Sequence, residues 1–166
     1  MDDFPSQGRI AAVDFGTVRI GVAVCDPDRI LASPLTVVQR CGNLDVEGKQ
    51  FLAISKEERL LGWVVGFPIH LDGSESQKSL QVRAFAKWLR TTTNLPVRLF
   101  DERFSTAAAD QRLEPSNLTK KGRKKRIDAV AALVLLESFL ESARESTELP
   151  GYPVDVRLSD RDSIDG

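Results

Sequence analysis

Histidine, cysteine, long apolar runs and net charge are all scarce in this 166-residue chain, and each scarcity narrows what it can do. The single histidine, His70, has no serine or cysteine in a partner pattern, which argues against a side-chain nucleophile activated by an imidazole base. Two cysteines, Cys25 and Cys41, match neither a disulfide framework nor a zinc site in count or spacing, so both are expected as reduced thiols in the cytoplasm. The longest strongly apolar stretch, 127–140, carries Asp128 and Glu137 and falls short of the roughly 20 residues that a bilayer-spanning helix needs. Residues 1–9 hold no apolar core behind basic residues, so no secretory signal is expected. No membrane partner follows from this composition. Hydrophobic residues at 42% and charged residues at 28% describe an ordinary folded domain, and the length suits one such domain.

The net charge of −1 does not announce a nucleic-acid partner, but the charges are unevenly spread. Lys120, Lys121, Arg123, Lys124, Lys125 and Arg126 form a dense basic run, whereas 141–166 is rich in acidic residues, serine and proline. Residues 1–8 are therefore expected to be flexible, 9–144 to form the domain, and 145–166 to be an acidic, flexible tail.

Apolar runs at 9–14 and 19–25, joined by the turn-forming Gly16-Thr17, predict a hairpin. An extended stretch over 30–38, interrupted by Pro34, predicts an edge strand. A polar helix over 46–60 then leads to a buried-type strand at 61–66. Ser74 with Gln77 makes a capping box, and Val82, Phe85, Ala86 and Leu89 recur at helical spacing behind it. A fifth strand is expected at 96–100, a short helix at 105–113, and a final helix at 127–140 with apolar residues almost all round. A three-strand meander followed by alternating helices and strands is the order of a ribonuclease H-like α/β fold, here a mixed five-stranded sheet with helices on both faces.

Three acidic residues fall at element ends in that order. Asp14 closes the first strand, Glu102 closes the fifth, and Asp128 opens the last helix, where it shares a stripe with Ala131, Ala132 and Leu135. Each alone is an ordinary strand-end or first-turn carboxylate. Together they form the oxygen-rich set that Mg²⁺ or Mn²⁺ prefers, and such cations serve phosphodiester hydrolysis without a protein nucleophile. The basic run immediately before Asp128, with Arg19 and Arg103, is suited to contact nucleic-acid phosphates. No aromatic stripe or base-reading motif accompanies it, so recognition of backbone and shape is expected.

Four motifs carry a family resemblance: Val13-Asp14-Phe15-Gly16-Thr17 with Arg19-Ile20-Gly21-Val22-Ala23-Val24; Val65-Gly66-Phe67-Pro68 with Leu71-Asp72-Gly73-Ser74; Asp101-Glu102-Arg103-Phe104-Ser105-Thr106; and Arg126-Ile127-Asp128-Ala129-Val130-Ala131-Ala132. Over about 9–141 the chain resembles the YqgF family of RuvC-like proteins, associated with nuclease processing of pre-16S ribosomal RNA and homologous to Holliday-junction resolvases. The resemblance implies the ribonuclease H-like fold, a nuclease role and Asp14, Glu102 and Asp128 as the catalytic, metal-holding acids. The chain departs from relatives at three places. Its fourth strand ends in Gly66-Phe67-Pro68 without an acid, Lys125 stands one helical turn before Asp128, and Val18 replaces a frequent lysine. Ribosomal precursor RNA and branched DNA both stay open as substrates, as do a monomer and a homodimer. Two rivals differ in class. A phosphotransferase of the actin and sugar-kinase type would need a second such domain, for which the chain is too short, and a noncatalytic RNA-binding assembly factor would keep the fold without the reaction.

Overall fold

The computed structural model describes residues 3–68, 77–101, 120–146 and 148–154. Along the described chain run β1 (Ile10–Asp14), β2 (Arg19–Cys25), β3 (Ala32–Gln39), α1 (Leu44–Glu57), β4 (Gly62–Phe67), α2 (Gln77–Thr93), β5 (Val97–Asp101), α3 (Lys120–Glu145) and β6 (Tyr152–Pro153). The strands form one mixed sheet in the order β3-β2-β1-β4-β5-β6. β1, β4 and β5 are parallel at its centre, while β2, β3 and β6 pair antiparallel with their neighbours. Pro34 stands opposite Ala23 at a register shift in β3, where an edge strand tolerates a residue without an N–H donor.

Strand alternation sorts the sheet into two buried faces. Ala11 and Val13 of β1 join Trp63, Val65, Leu99, Phe51 of α1 and Phe85 and Leu89 of α2 in one core. Ile10 and Ala12 join Val64, Phe100 and the α3 residues Ala132, Leu135, Leu136 and Phe139 in the other. The four residues expected to face the sheet from the second helix, Val82, Phe85, Ala86 and Leu89, are all buried. Cys25 lies in the α3-side core, where burial pushes its thiol pKa up, and Cys41 is exposed; both are free.

Element ends move where capping chemistry decides them. α1 starts at Leu44 rather than 46 because the Asn43 side chain accepts from the Asp45 and Val46 amides at 3.0 and 3.3 Å. It stops at Glu57 because Arg59 turns left-handed, at φ 53°, and the Leu60 and Arg59 amides bond back to the Ser55 and Lys56 carbonyls. α3 begins seven residues before the expected start, so the whole basic run is helical. The capping serine Ser74 and the short helix expected over 105–113 lie outside the described residues.

Among the described residues the sheet has six strands, not five, and the sixth corrects the expected tail over 148–154. Residues 148–154 return to the sheet: the Val154 amide donates to the Val97 carbonyl at 2.9 Å, and Val154 is buried in the core. Arg98, only 5% exposed on β5, donates from Nε to the Pro150 carbonyl at 2.8 Å and from Nη2 to the Leu149 and Gly151 carbonyls at 3.2 and 2.8 Å. Gly151 permits this approach, since a Cβ there would stand 2.1 Å from the Leu99 carbonyl oxygen. The acidic and serine-rich composition of 145–166 as a whole hid an attachment that 148–154 makes through its backbone carbonyls and through Val154. The described part of the N-terminal segment, from residue 3, is likewise packed rather than loose: Phe4 is buried edge-on to Phe139, at 5.8 Å between ring centroids.

Candidate functional site

The parallel strands β1, β4 and β5 bring their carboxyl ends, Asp14, Phe67 and Asp101, to one edge of the sheet. Val13 pairs with Val65, and Phe67 with Asp101, so Asp14 and Asp101 lie at nearly the same height two strands apart, roughly 10 Å by ordinary strand spacing. Alternation separates them by face. Asp14 follows Ile10 and Ala12 on the α3 side, whereas Asp101 follows Val97 and Leu99 on the side of α1 and α2. Asp14 is half-buried, so a carboxylate there can meet both the sheet edge and solvent.

The direction of α3 follows from its far end. Arg144 donates to the Arg29 carbonyl just beyond the β2 terminus, which is the amino edge of β1. The N-terminal half of α3 therefore runs toward the edge that carries Asp14. Asp128 stands one turn, about 6 Å, before the fully buried Ala132, and Asp14 stands two residues, about 6.6 Å, beyond Ala12 in the same core. Backbone positions thus bring Asp14 and the Asp128 turn of α3 toward one end of the same layer. The Asp128 side chain and those of Lys120, Lys121, Arg123, Lys124, Lys125 and Arg126 lie outside the described set, although their backbone forms the first two turns of α3. Glu102, next in the chain after β5, and Arg103 also lie outside the described residues. Arg19 begins β2 and is partly buried. Among the described residues no three histidine, cysteine or acidic side chains gather around a common point, and of the expected three acids only Asp14 has a described side chain. Its hard oxygen donors and half-open position suit a cation that keeps water and substrate oxygens in its shell.

The loop after Asp14 is built by close backbone approach. A Cβ on Gly16 would stand 2.3 Å from the Arg19 carbonyl oxygen, a backbone atom that cannot step aside cheaply. Gly16→Ala is therefore expected to destabilise the domain by about 1–3 kcal/mol, measured by urea unfolding. An unchanged midpoint would show that the loop relaxes freely. Phe15 packs on Phe85 with 4.9 Å between centroids, beneath the Arg40 guanidinium at 5.2 Å.

Two cations at or beside this edge escaped sequence reasoning. Arg83 of α2 lies over the ring of Phe67, the last residue of β4, at 4.7 Å, and Arg40 follows β3. Neither belongs to a charge run, so nothing in local composition distinguished them. A cleft of about 540 Å³ lined by Gln7, Arg29, Leu140 and Arg144 lies at the opposite edge, away from Asp14.

A mixed sheet with a three-strand meander, parallel strands and acids at its carboxyl edge defines a RuvC-type, ribonuclease H-like protein. Solved structures agree: Thermus thermophilus RuvC in complex with a Holliday junction substrate superposes with a TM-score of 0.57 at 15% identity, over 88% of this chain and 99% of that one. A second Thermus thermophilus RuvC structure gives 0.51. The family model RuvX, described as Holliday junction resolvase, matches residues 8–142, and the chain belongs to that family. A relative from Rhodopirellula baltica, named "Putative pre-16S rRNA nuclease", is 54% identical over 164 residues, 99% of this chain and 94% of that protein. One of the same name from a Bradyrhizobium species is 41% identical over 138 residues, 83% of this chain and 85% of that protein. No helix among the described residues is long and apolar enough to cross a membrane.

Proposed function

We propose that this protein is a metal-dependent nuclease of the cytoplasm that hydrolyses phosphodiester bonds in the 5′-end maturation of pre-16S ribosomal RNA. The observation that supports it most is the placement of Asp14 at the carboxyl edge, on the sheet face covered by the helix that carries Asp128. The name shared by relatives that match 99% and 83% of the chain supports the substrate. Asp14, Glu102 and Asp128 would hold Mg²⁺ or Mn²⁺, which supplies activation of a water and neutralisation of charge on the phosphate and leaving oxygen. The protein would contribute position: β1 and α3 carry two of the acids, and Lys120 to Arg126 would offer cations to the strand beside the cut. These helical turns contain no acidic residue in the first turn, so their charge adds to the positive end of the helix dipole and favours a bound anion.

Branched DNA is the second reading, favoured by the likeness to a RuvC solved on a Holliday junction. The deciding experiment is Mn²⁺- and Mg²⁺-dependent cleavage of ribosomal precursor RNA beside a four-way DNA junction. Specific cutting of the RNA supports the first reading, and symmetric cutting of the junction by a homodimer the second. Mass in solution separates monomer from homodimer. Tight RNA binding without any cutting leaves an assembly factor.

Lys124→Ala combined with Lys125→Ala is expected to weaken binding to all sequences alike. The log–log salt slope should flatten by about 0.7 for each phosphate of a single strand that the variant no longer neutralises. Filter binding across a salt series measures it. Equal affinity and slope in the double variant would remove the basic turns from the interface.

A further inference from the structure

The first-turn glutamate of α1, Glu47, is an anomaly of burial. It is 1% exposed, its Oε1 accepts from Arg40 Nε at 2.8 Å, and its Oε2 has no hydrogen-bond partner among the described residues. Its partner Arg40 also reaches the loop that follows Asp14 at two points. The Arg40 amide donates to the Val18 carbonyl at 2.9 Å, and the guanidinium covers the Phe15 ring. Gln39 reinforces the first of these, its Nε2 donating to the same carbonyl at 3.3 Å. The loop is thereby held from both ends, at Phe15 and at Val18, by a residue that Glu47 in turn orients.

Packing alone does not call for this arrangement. Phe15 already touches Phe85, which meets Phe51 and Trp88, so apolar residues at 40 and 47 would extend an existing aromatic cluster. Buried ion pairs are often matched or exceeded in stability by apolar replacements of similar volume. What a charge pair supplies and an apolar pair lacks is direction. A guanidinium fixed at Nε by a carboxylate has one plane and one height above the ring.

We propose that Arg40 and Glu47 are positioning residues that hold the Phe15–Val18 loop and, through it, the carboxylate of Asp14 at the sheet edge. The role in catalysis rests on the nuclease reading given above; the role in ordering the loop does not. Metal-site acids depend on such outer supports, whose loss typically weakens metal affinity or activity by about 10- to 100-fold.

The test uses the full chain with Arg40→Met/Glu47→Met, which removes both charges and leaves no buried orphan, beside Glu47→Gln and Arg40→Lys. Amide hydrogen exchange is followed at residues 15–19 and Arg40, with β1 and β4 amides as a measure of global stability. The double variant is expected to melt within a few degrees of wild type, as core exchange confirms. Its loop amides and that of Arg40 should exchange about tenfold faster or more. The Mn²⁺ concentration at half-maximal thermal shift should rise about tenfold, with kcat falling similarly and KM nearly unchanged. Arg40→Lys, which keeps the charge but not the planar fork, should fall between. Wild-type loop protection in the double variant overturns the proposal, as does a wild-type Mn²⁺ midpoint and kcat in a protein that binds the metal. If wild type itself shows neither Mn²⁺ shift nor cleavage, the nuclease reading alone fails, and the exchange comparison still decides whether the pair orders the loop. Should Glu47→Gln not fold, the double variant and Arg40→Lys carry the test.

Discussion

Removing residues 145–166 is expected to destabilise the domain by about 3 kcal/mol and lower its melting temperature by roughly 6–12 °C. The segment gives the sheet β6, places Val154 in the core, and supplies the three carbonyls that accept from Arg98. Hydrogen bonds from a charged donor each contribute more than neutral ones, about 1.5–3 kcal/mol, while a guanidinium left buried without acceptors costs more still. Burial already depresses the Arg98 pKa, the sign of a cation held in a poorly solvated place. The loss in the truncated chain is moderated because Arg98 regains water once its cover is gone. Arg98→Ala in the full-length chain should cost a comparable amount, since it leaves the same carbonyls without their donor. In the truncated chain the same substitution should cost almost nothing. Thermal and urea unfolding of the four proteins in this cycle measure the coupling, expected at about 1.5 kcal/mol or more. Additive losses, or a truncated chain as stable as the whole, would show that β6 rests on the sheet without supporting it.

Asp14→Asn is expected to abolish both cleavage and the Mn²⁺-linked rise in melting temperature while leaving the metal-free protein as stable as wild type or slightly more so. Carboxylates that converge repel one another in the absence of a cation, and replacing one by a neutral amide of the same shape relieves that repulsion. A metal that binds only the folded protein stabilises it by about 2.7 kcal/mol at a hundredfold excess over its dissociation constant, and this linkage disappears with the site. Losing about 4 kcal/mol of transition-state stabilisation corresponds to roughly a thousandfold in rate. An ordinary strand-ending aspartate predicts the reverse, a loss of about 0.5–2 kcal/mol on substitution and no metal dependence. Melting curves with and without Mn²⁺ for wild type, Asp14→Asn, Glu102→Gln and Asp128→Asn separate the two, read beside cleavage of precursor RNA. A wild-type protein without a Mn²⁺ shift at millimolar metal, with variants that cut as well as it does, would falsify the metal-site assignment.

Much of the site's edge was legible along the chain, because its parts obey local rules. An apolar run ending in Asp14 and a glycine in the next turn mark a strand that stops where its carboxylate can emerge. The recurrence of Val82, Phe85, Ala86 and Leu89 marks a helix on that sheet. The cations Arg40 and Arg83 were not legible, since each acts through an aromatic ring distant in sequence, Phe15 for one and Phe67 for the other.

By itself the sequence determined the fold class and family, the hairpin that leads into and out of the Asp14 loop, and the helical stripe that packs on the sheet. Periodicity and turn chemistry are properties of neighbours in the chain, and four motifs of fixed residues carry the family. The tertiary structure alone decided the sheet order, the faces on which Asp14 and Asp101 lie, the direction of α3, the docking of 148–154, and the burial of Glu47 against Arg40. All but the last of these depend on groups far apart in sequence, and two of them on backbone carbonyls that every residue carries. The tail shows the reason most clearly. Pro150, Gly151 and Pro153 read along the chain as turn residues rather than a strand, but a buried arginine needs acceptors, and the Pro150-Gly151 backbone provides them only once β5 is in place.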